Sequence, residues 1–276
     1  MGSGVERIVE LITEKSKKNP EIMDLEYFLR GVDSYRSKIH INNVNHDLQI
    51  IRAHLPAKSK VLDFGCGFGI QSAVLAEKDF QVVGLETVED KSLDHFFKGD
   101  AEKHKSDRDR SLRQIWNWLK EDLDSLEFRY YDGKHIPFPD GYFDAILAYA
   151  VLEHIPEDEL PGTLGELSRI LRAKGLLYIF QFPRAESYSE FIAHRLGLEA
   201  HDFLLSEQEI IKLIEDHGFR IKERYLSDLL IKRPRKVVNL LLPILKPIEK
   251  ILLKTVISHL AHHINLVAEK SVFHQN

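Results

Sequence analysis

The chain has 276 residues, enough for one large domain or two small ones, and its 43% hydrophobic and 29% charged composition suits a packed globular protein, not a disordered or collagen-like one. A single cysteine excludes an internal disulfide, a zinc finger and an iron–sulfur cluster, so a reducing, cytoplasmic setting is the default expectation. The net charge of −5 argues against nucleic-acid binding by the whole chain, yet from Asp228 to Asn276 eight Lys/Arg oppose three Asp/Glu, leaving +5 there and −10 elsewhere.

Val5, Ile8, Val9 and Ile12 recur at helical spacing, so a helix is expected to open the chain and to stop near Asn19-Pro20. No long apolar core follows Met1, and no signal peptide is expected. A further helix is expected from Val44 to Leu55, ended by Pro56, so residues 1–56 read as a helical cover. From 57 to 231 strands and helices alternate. Strands are expected at Lys60–Phe64, Phe80–Leu85, Leu126–Tyr131, Tyr142–Ala148, Gly175–Phe180 and Phe219–Tyr225. Helices are expected at Gln71–Lys78, Glu157–Arg172 and Ser206–His217. That alternation implies a mostly parallel sheet covered on both faces.

Two stretches exceed a minimal repeat. Residues 87–125 carry a charged run from Lys98 to Arg113 and then Ile115-Trp-Asn-Trp-Leu119, which reads as a helical lid or as a solvated helix at the sheet edge. Residues 232–262 read as a basic, apolar helical insertion, and 263–276 as the last strand and tail.

The chemistry is concentrated in Val61-Leu-Asp-Phe-Gly-Cys-Gly-Phe-Gly69, a strand delivered into a glycine bend before a helix. Gly65 and Gly67 permit backbone angles that a Cβ forbids, and helix amides point into the crevice beyond the strand ends. A dinucleotide site is the rival reading, but position 70, where Gly or Ala is wanted, is Ile70. Asp63 places a carboxylate at the ligand's approach, which suits a cation better than a pyrophosphate. Glu86 ends the second strand, where an acid can take both ribose hydroxyls. Set beside these, Asp63 also fits a carboxylate serving a helix dipole, Glu86 a surface acid at a strand end, and Asp132-Gly133 a plain turn.

With Val83-Gly-Leu-Glu86, Asp132-Gly-Lys-His-Ile-Pro-Phe-Pro-Asp140, Tyr142-Phe-Asp-Ala145 and Val151-Leu-Glu-His-Ile155, the sequence resembles the class I S-adenosylmethionine-dependent methyltransferases, nearest the ubiquinone/menaquinone-type small-molecule subgroup, over about residues 40–225 and the last strand. The resemblance implies a Rossmann-like, seven-stranded α/β sheet with an N-terminal helical cover and a helical insertion before an antiparallel last strand. It implies S-adenosyl-L-methionine as cofactor. Gly65, Cys66 and Gly67 would lie under its methionine part, Asp63 at its ammonium end, Glu86 at the ribose, and Asp132 with Gly133 at the adenine. Ala148 and Tyr149 would border the reacting methyl group. Tyr35 or Arg36 is the candidate for the cofactor carboxylate.

The acceptor is less legible. A hydroxyl, phenol or acidic carbon must lose a proton, and a histidine suits that task near neutrality. His154 is the first candidate base, with a structural role as the competing reading; His135, His194 and His201 are alternatives. No Asn/Asp-Pro-Pro-Tyr signature of amino-group methylation occurs, because residues 148–151 are Ala-Tyr-Ala-Val. The only Cys lies in the glycine loop, which leaves a covalent cytosine mechanism without a nucleophile. His259, His262 and His263 are close in sequence but have no obvious acidic or Cys partner, so no metal is expected. Val237 to Leu253 is too interrupted by Pro243, Lys246, Pro247 and Glu249 to span a bilayer. Residues 234–258 can instead lie in a membrane surface, at the inner face, pack on the core, or form a dimer interface. A small-molecule or lipid-like acceptor is expected, such as a quinone, a lipid or a lipid-linked sugar. An NAD(P)-dependent oxidoreductase and a non-catalytic, membrane-docking cofactor binder are the alternatives.

Overall fold

The computed structural model describes residues 4–19, 25–87, 101–197, 204–230 and 235–271, the side chains of 25–28, 30 and 101–108 excepted. Its strands are β1 Lys60–Phe64, β2 Gln81–Thr87, β3 Leu126–Tyr131, β4 Phe143–Tyr149, β5 Leu171–Pro183, β6 Phe219–Ser227 and β7 His263–Lys270. They form one seven-stranded sheet in the order β3-β2-β1-β4-β5-β7-β6. β7 runs antiparallel to both β5 and β6, whereas β1–β2, β2–β3 and β4–β5 pair in parallel. This is the Rossmann-like α/β sheet expected of the sequence, with its helical insertion before the last strand. By packing, the chain divides into two units, Met1–His135 and Ile136–Asn276.

In the first unit, helices α1 Gly4–Lys18, α2 Leu25–Ser34, α3 Lys38–His54, α4 Ile70–Ala76 and α5 Ala101–Lys120 accompany β1 to β3. α1 buries Val5, Ile8, Val9 and Ile12, the stripe read from its spacing, and packs on α2, α3, α4 and α5. α3 starts ahead of the expected Val44, because Ile39 and Ile41 extend its buried side. The 87–125 insertion is neither a solvated helix nor a free lid over its described part. Leu112, Ile115, Trp116 and Leu119 of α5 recur at i, i+3, i+4 and i+7 and are all buried. Trp116 stacks on Phe128 of β3 with ring centroids 5.0 Å apart and planes 8° from parallel. This packing dictates two glycines. A Cβ at Gly84 would meet the Phe128 ring at 2.4 Å, and one at Gly69, whose φ is +77°, would meet it at 2.5 Å.

The second unit holds β4 to β7 with α6 Leu160–Ile170, α7 Tyr188–Arg195, α8 Glu207–Asp216 and α9 Arg235–Leu252. α8 opens with a capping box in which the Ser206 hydroxyl accepts the Glu209 amide while Glu209 accepts the Ser206 amide. β5 outruns the expected Gly175–Phe180 at both ends: Leu171 pairs with Phe143 of β4 at its start, and β7 pairs with it as far as Pro183↔His263 at its end. Its bulge falls between Ile179 and Phe182, where Gln181 takes φ +62° and its amide donates to Asn265 Oδ1 at 2.9 Å. Arg169 of α6 ties down the loop before β4, donating to the carbonyls of Ile136 and Phe138 and to Glu166. Arg184, fully buried, donates to Glu207 Oε2 at 2.9 Å and to the carbonyls of His259 and Ala261. Burial lowers its affinity for its proton, and Glu186 and Glu207 oppose that loss. No helix among the described residues is long and apolar enough to cross a membrane.

Candidate active site

The glycine bend hangs from β2. The amides of Gly65 and Cys66 both donate to the Leu85 carbonyl, at 2.8 and 3.1 Å. Gly65, Gly67 and Gly69 have φ of +69°, +50° and +77°, the left-handed region that glycine enters without a Cβ clash. Among the described residues nothing lies within 4 Å of where a Gly67 Cβ would stand, so a ligand can approach the main chain there. α4 then starts at Ile70 and is buried along its whole length.

Two buried carboxylates face this bend. Glu86 Oε2 accepts the Gly67 amide at 2.7 Å, and Oε1 accepts the Thr87 amide at 2.9 Å. The second strand's terminal acid is therefore joined to the loop, not left as a surface charge. Asp63, also buried, accepts from the Ser72 hydroxyl at 2.5 Å and from the Ser72 amide in the first turn of α4. Burial pushes its carboxyl up to about 7, and the two Ser72 hydrogen bonds only partly offset that rise. Asp63 thus also holds the start of α4.

Tyr35, just past α2, completes the acidic end. Burial raises its phenol's pKa first, and the charges of Asp63, Cys66 and Glu86 raise it further. Its ring meets Phe68 of the bend edge-on at 6.1 Å and His40 at 4.9 Å. Its neighbour Arg36 turns away, donating to Thr13 Oγ1 at 3.3 Å and pairing loosely with Asp33 at 3.8 Å. Of the two candidates for the cofactor carboxylate, only Tyr35 is gathered with the acids.

Asp132 is exposed and closes a turn, its Oδ1 accepting the amides of Lys134 and His135 at 2.9 Å each. Those bonds hold its carboxyl below the usual range. Gly133, at φ +80°, has Thr87 Cγ2 3.8 Å from its Cβ position, which sets the turn beside the end of β2. Trp116 was not foreseen as a site residue. Its indole Nε1–H donates to the Gly67 carbonyl at 2.9 Å, so both polar groups of Gly67 are held, one by Glu86 and one by α5. The signal was present in the apolar Ile115-Trp-Asn-Trp-Leu119 run.

In the second unit, Ala148 and Tyr149 end β4, and Ala150 follows at φ +50° with its amide on the Phe180 carbonyl at 2.9 Å. His154 is exposed on the short 3-10 turn Leu152–His154. His135 and His194 are exposed, and His201 lies outside the described residues. His262 and His263 do not continue a helix. His263 opens β7 and pairs with buried Asp228 at 2.7 Å, while His262 meets the hydroxyls of Ser187 and Ser189 at 2.9 and 2.8 Å. No cluster of three or more His, Cys, Asp or Glu able to hold a metal occurs among the described residues.

A family model described as a methyltransferase domain matches residues 35–224. The chain belongs to this family. It is 26% identical over 175 residues to a sterol 24-C-methyltransferase of Schizosaccharomyces pombe, a match that covers 60% of this chain but only 40% of that relative's own length. Among solved structures, a SAM-dependent methyltransferase of Methanosarcina mazei matches with a TM-score of 0.55 at 18% identity, covering 81% of this chain and 98% of that one. The 1,6-didemethyltoxoflavin-N1-methyltransferase of Burkholderia thailandensis, solved with its substrate and S-adenosylhomocysteine, matches with a TM-score of 0.56 at 16% identity, covering 88% and 83%. The cofactor of this methyltransferase domain is S-adenosyl-L-methionine. The site fits it: the bend is open at Gly67, and Ile70 stands where a dinucleotide fingerprint wants its last Gly or Ala.

Proposed function

We propose that this methyltransferase-family protein transfers the methyl group of S-adenosyl-L-methionine to a lipid-like acceptor. One observation supports the transfer chemistry above the others: the open glycine bend is gripped from beneath by a buried acid, Glu86, at the end of the neighbouring strand. When bound, the cofactor supplies a methyl group already activated by its positive sulfur. The residues of this chain do the rest. Glu86 accepts the ribose hydroxyls, and Asp63 with Tyr35 addresses the amino-acid end. Asp132 and Gly133 border the adenine. Tyr149 orients the acceptor, and His154 takes the acceptor's proton at its imidazole as the new bond forms. Most of the rate gain then comes from holding the acceptor atom in line.

The lipid-like class is supported by the likeness to sterol 24-C-methyltransferase over the cofactor domain. The test is incubation with methyl-tritiated cofactor and fractionated cell extract, followed by partition into organic solvent. Label in the organic phase is the expected result. Label confined to water-soluble products overturns the lipid-like class. No label in either phase, with S-adenosylhomocysteine bound, would favour a non-catalytic cofactor binder. Binding of NADPH with none of S-adenosylhomocysteine would overturn the whole reading.

A further inference from the structure

α9 presents its apolar side outward. Its inner side is narrow, with only Val238, Leu242 and Glu249 buried. Glu249 seats it: Oε1 accepts the amides of Leu229 and Leu230 at 2.9 and 3.1 Å, and Oε2 accepts from Lys246 at 3.0 Å. At about 100° per residue, Val237, Leu240, Leu241, Ile244, Ile248 and Ile251 share one outward arc about 100° wide. All six are exposed, Leu240 by 78% and Ile251 by 66%. The following turn, Val256–Leu260, adds Val256 at 91% exposure. α7 of the same unit, whose Tyr188 feels the Glu249 charge, also exposes Phe191, Ile192 and Leu196. Apolar residues exposed along one side of a helix in this way mark an interaction surface.

The charges beside this face point to its occupant. Lys236 and Lys250 are exposed to one side of the apolar arc of α9, and Lys254, also exposed, follows in the turn just past the helix end. From Arg235 to Leu260 five Lys/Arg stand against one acid, Glu249, which is turned inward. The chain as a whole carries −5, so the local excess of positive charge here favours approach to an anionic surface. Pro243 and Pro247 interrupt the helix and are exposed, which suits a helix lying in an interface better than one crossing it. A second copy fits less well, because a two-fold axis through this face would bring the lysine flanks together with no outward acid on α9 to pair with them.

We infer that the outward face of α9 docks on an anionic lipid bilayer, with its leucines and isoleucines in the acyl boundary and its lysines among the headgroups. The full chain is floated with vesicles of phosphatidylcholine alone and of phosphatidylcholine with phosphatidylglycerol. The expected result is flotation with the anionic vesicles only, weakened by salt. Leu240→Asp/Ile244→Asp/Ile251→Asp, all on exposed positions, stays at the bottom with unchanged circular dichroism. Lys236→Glu/Lys250→Glu/Lys254→Glu loses at least tenfold in vesicle affinity, each lysine at the surface being worth about fivefold. Wild type that does not float, or an aspartate variant that floats as wild type does, overturns the inference. So does a wild-type dimer on size exclusion that the aspartate variant turns into a monomer, since a second copy then covers the face. Flotation needs no turnover, so its failure leaves the methyl-transfer reading standing, and the reverse holds too.

Discussion

The Gly67 amide donates to Glu86 Oε2 at 2.7 Å, which binds the tip of the cofactor loop to the end of a strand 19 residues further along the chain. The loop is thereby preorganised before any ligand arrives. Replacing Glu86 with Ala leaves a buried amide unsatisfied and removes the ribose acceptor. Removal of a charged hydrogen-bond partner costs about 1.5–3 kcal/mol, so S-adenosylhomocysteine affinity is expected to fall about 10- to 100-fold by calorimetry. Glu86→Gln, which can still accept from Gly67, should fall less. Unchanged affinity in both variants would remove Glu86 from the site.

Trp116→Phe keeps an aromatic ring over Phe128 but deletes the bond to the Gly67 carbonyl. A neutral hydrogen bond contributes about 1 kcal/mol net, so cofactor affinity should fall about fivefold with a melting temperature close to wild type. A large drop in melting temperature with unaltered affinity would show that the indole only packs.

Asp63 makes the ligand-free protein sensitive to pH. Its carboxyl sits at about 7 in the folded chain against an ordinary 3.8, so the folded state binds its proton more tightly than the unfolded state does. Stability is therefore greatest below the ordinary value and declines as pH rises from about 4 to about 7, beyond which this contribution is flat. Asp63→Asn cannot titrate. Thermal melts at pH 5 and pH 8 should show the variant gaining on wild type at the higher pH. An ammonium-bearing ligand favours the ionised form, so wild-type affinity should rise with pH across the same window and the variant's should not.

Arg184→Ala leaves Glu207 and two backbone carbonyls facing a buried gap. Breaking a buried ion pair from one side costs about 3–5 kcal/mol when the other charge is left alone; Glu207 keeps Arg224, so a drop at the lower end, about 3 kcal/mol, is expected in chemical denaturation. A loss under about 1 kcal/mol would mean that water replaces the guanidinium at little cost.

Gly84→Ala tests the packing of α5 through β3. A Cβ there would stand 2.4 Å from the Phe128 ring, which is itself stacked on Trp116. The ring cannot move without disturbing the indole, and overpacking of this kind costs about 1–3 kcal/mol. Gly84→Ala combined with Phe128→Leu should recover part of that loss in thermal melts.

The sheet was readable because its strands are short apolar runs, β1, β3 and β6 of them stopped by Gly65, Asp132 and Asp228, and the glycine bend was readable because its residues are tied to one backbone geometry. Which of Tyr35 and Arg36 faces the acids was not readable. Adjacent residues at a helix end point in different directions, and only packing against Phe68 and Thr13 decides between them. α5 was obscured by its charged first half, which outweighs a regular stripe at Leu112, Ile115, Trp116 and Leu119. His263 is expected in the last strand and opens it, but its pairing with Asp228, 35 residues distant, and that of His262 with Ser187, 75 residues distant, could not be foreseen. Contacts of that range leave no local trace.

Both tryptophans of the chain, Trp116 and Trp118, lie on α5 and are buried, and one is bonded to the carbonyl of the cofactor loop. The molecule thus carries a built-in fluorophore wired to its own binding event. Emission from Trp116 is the difference between wild type and Trp116→Phe, in which Trp118 alone emits.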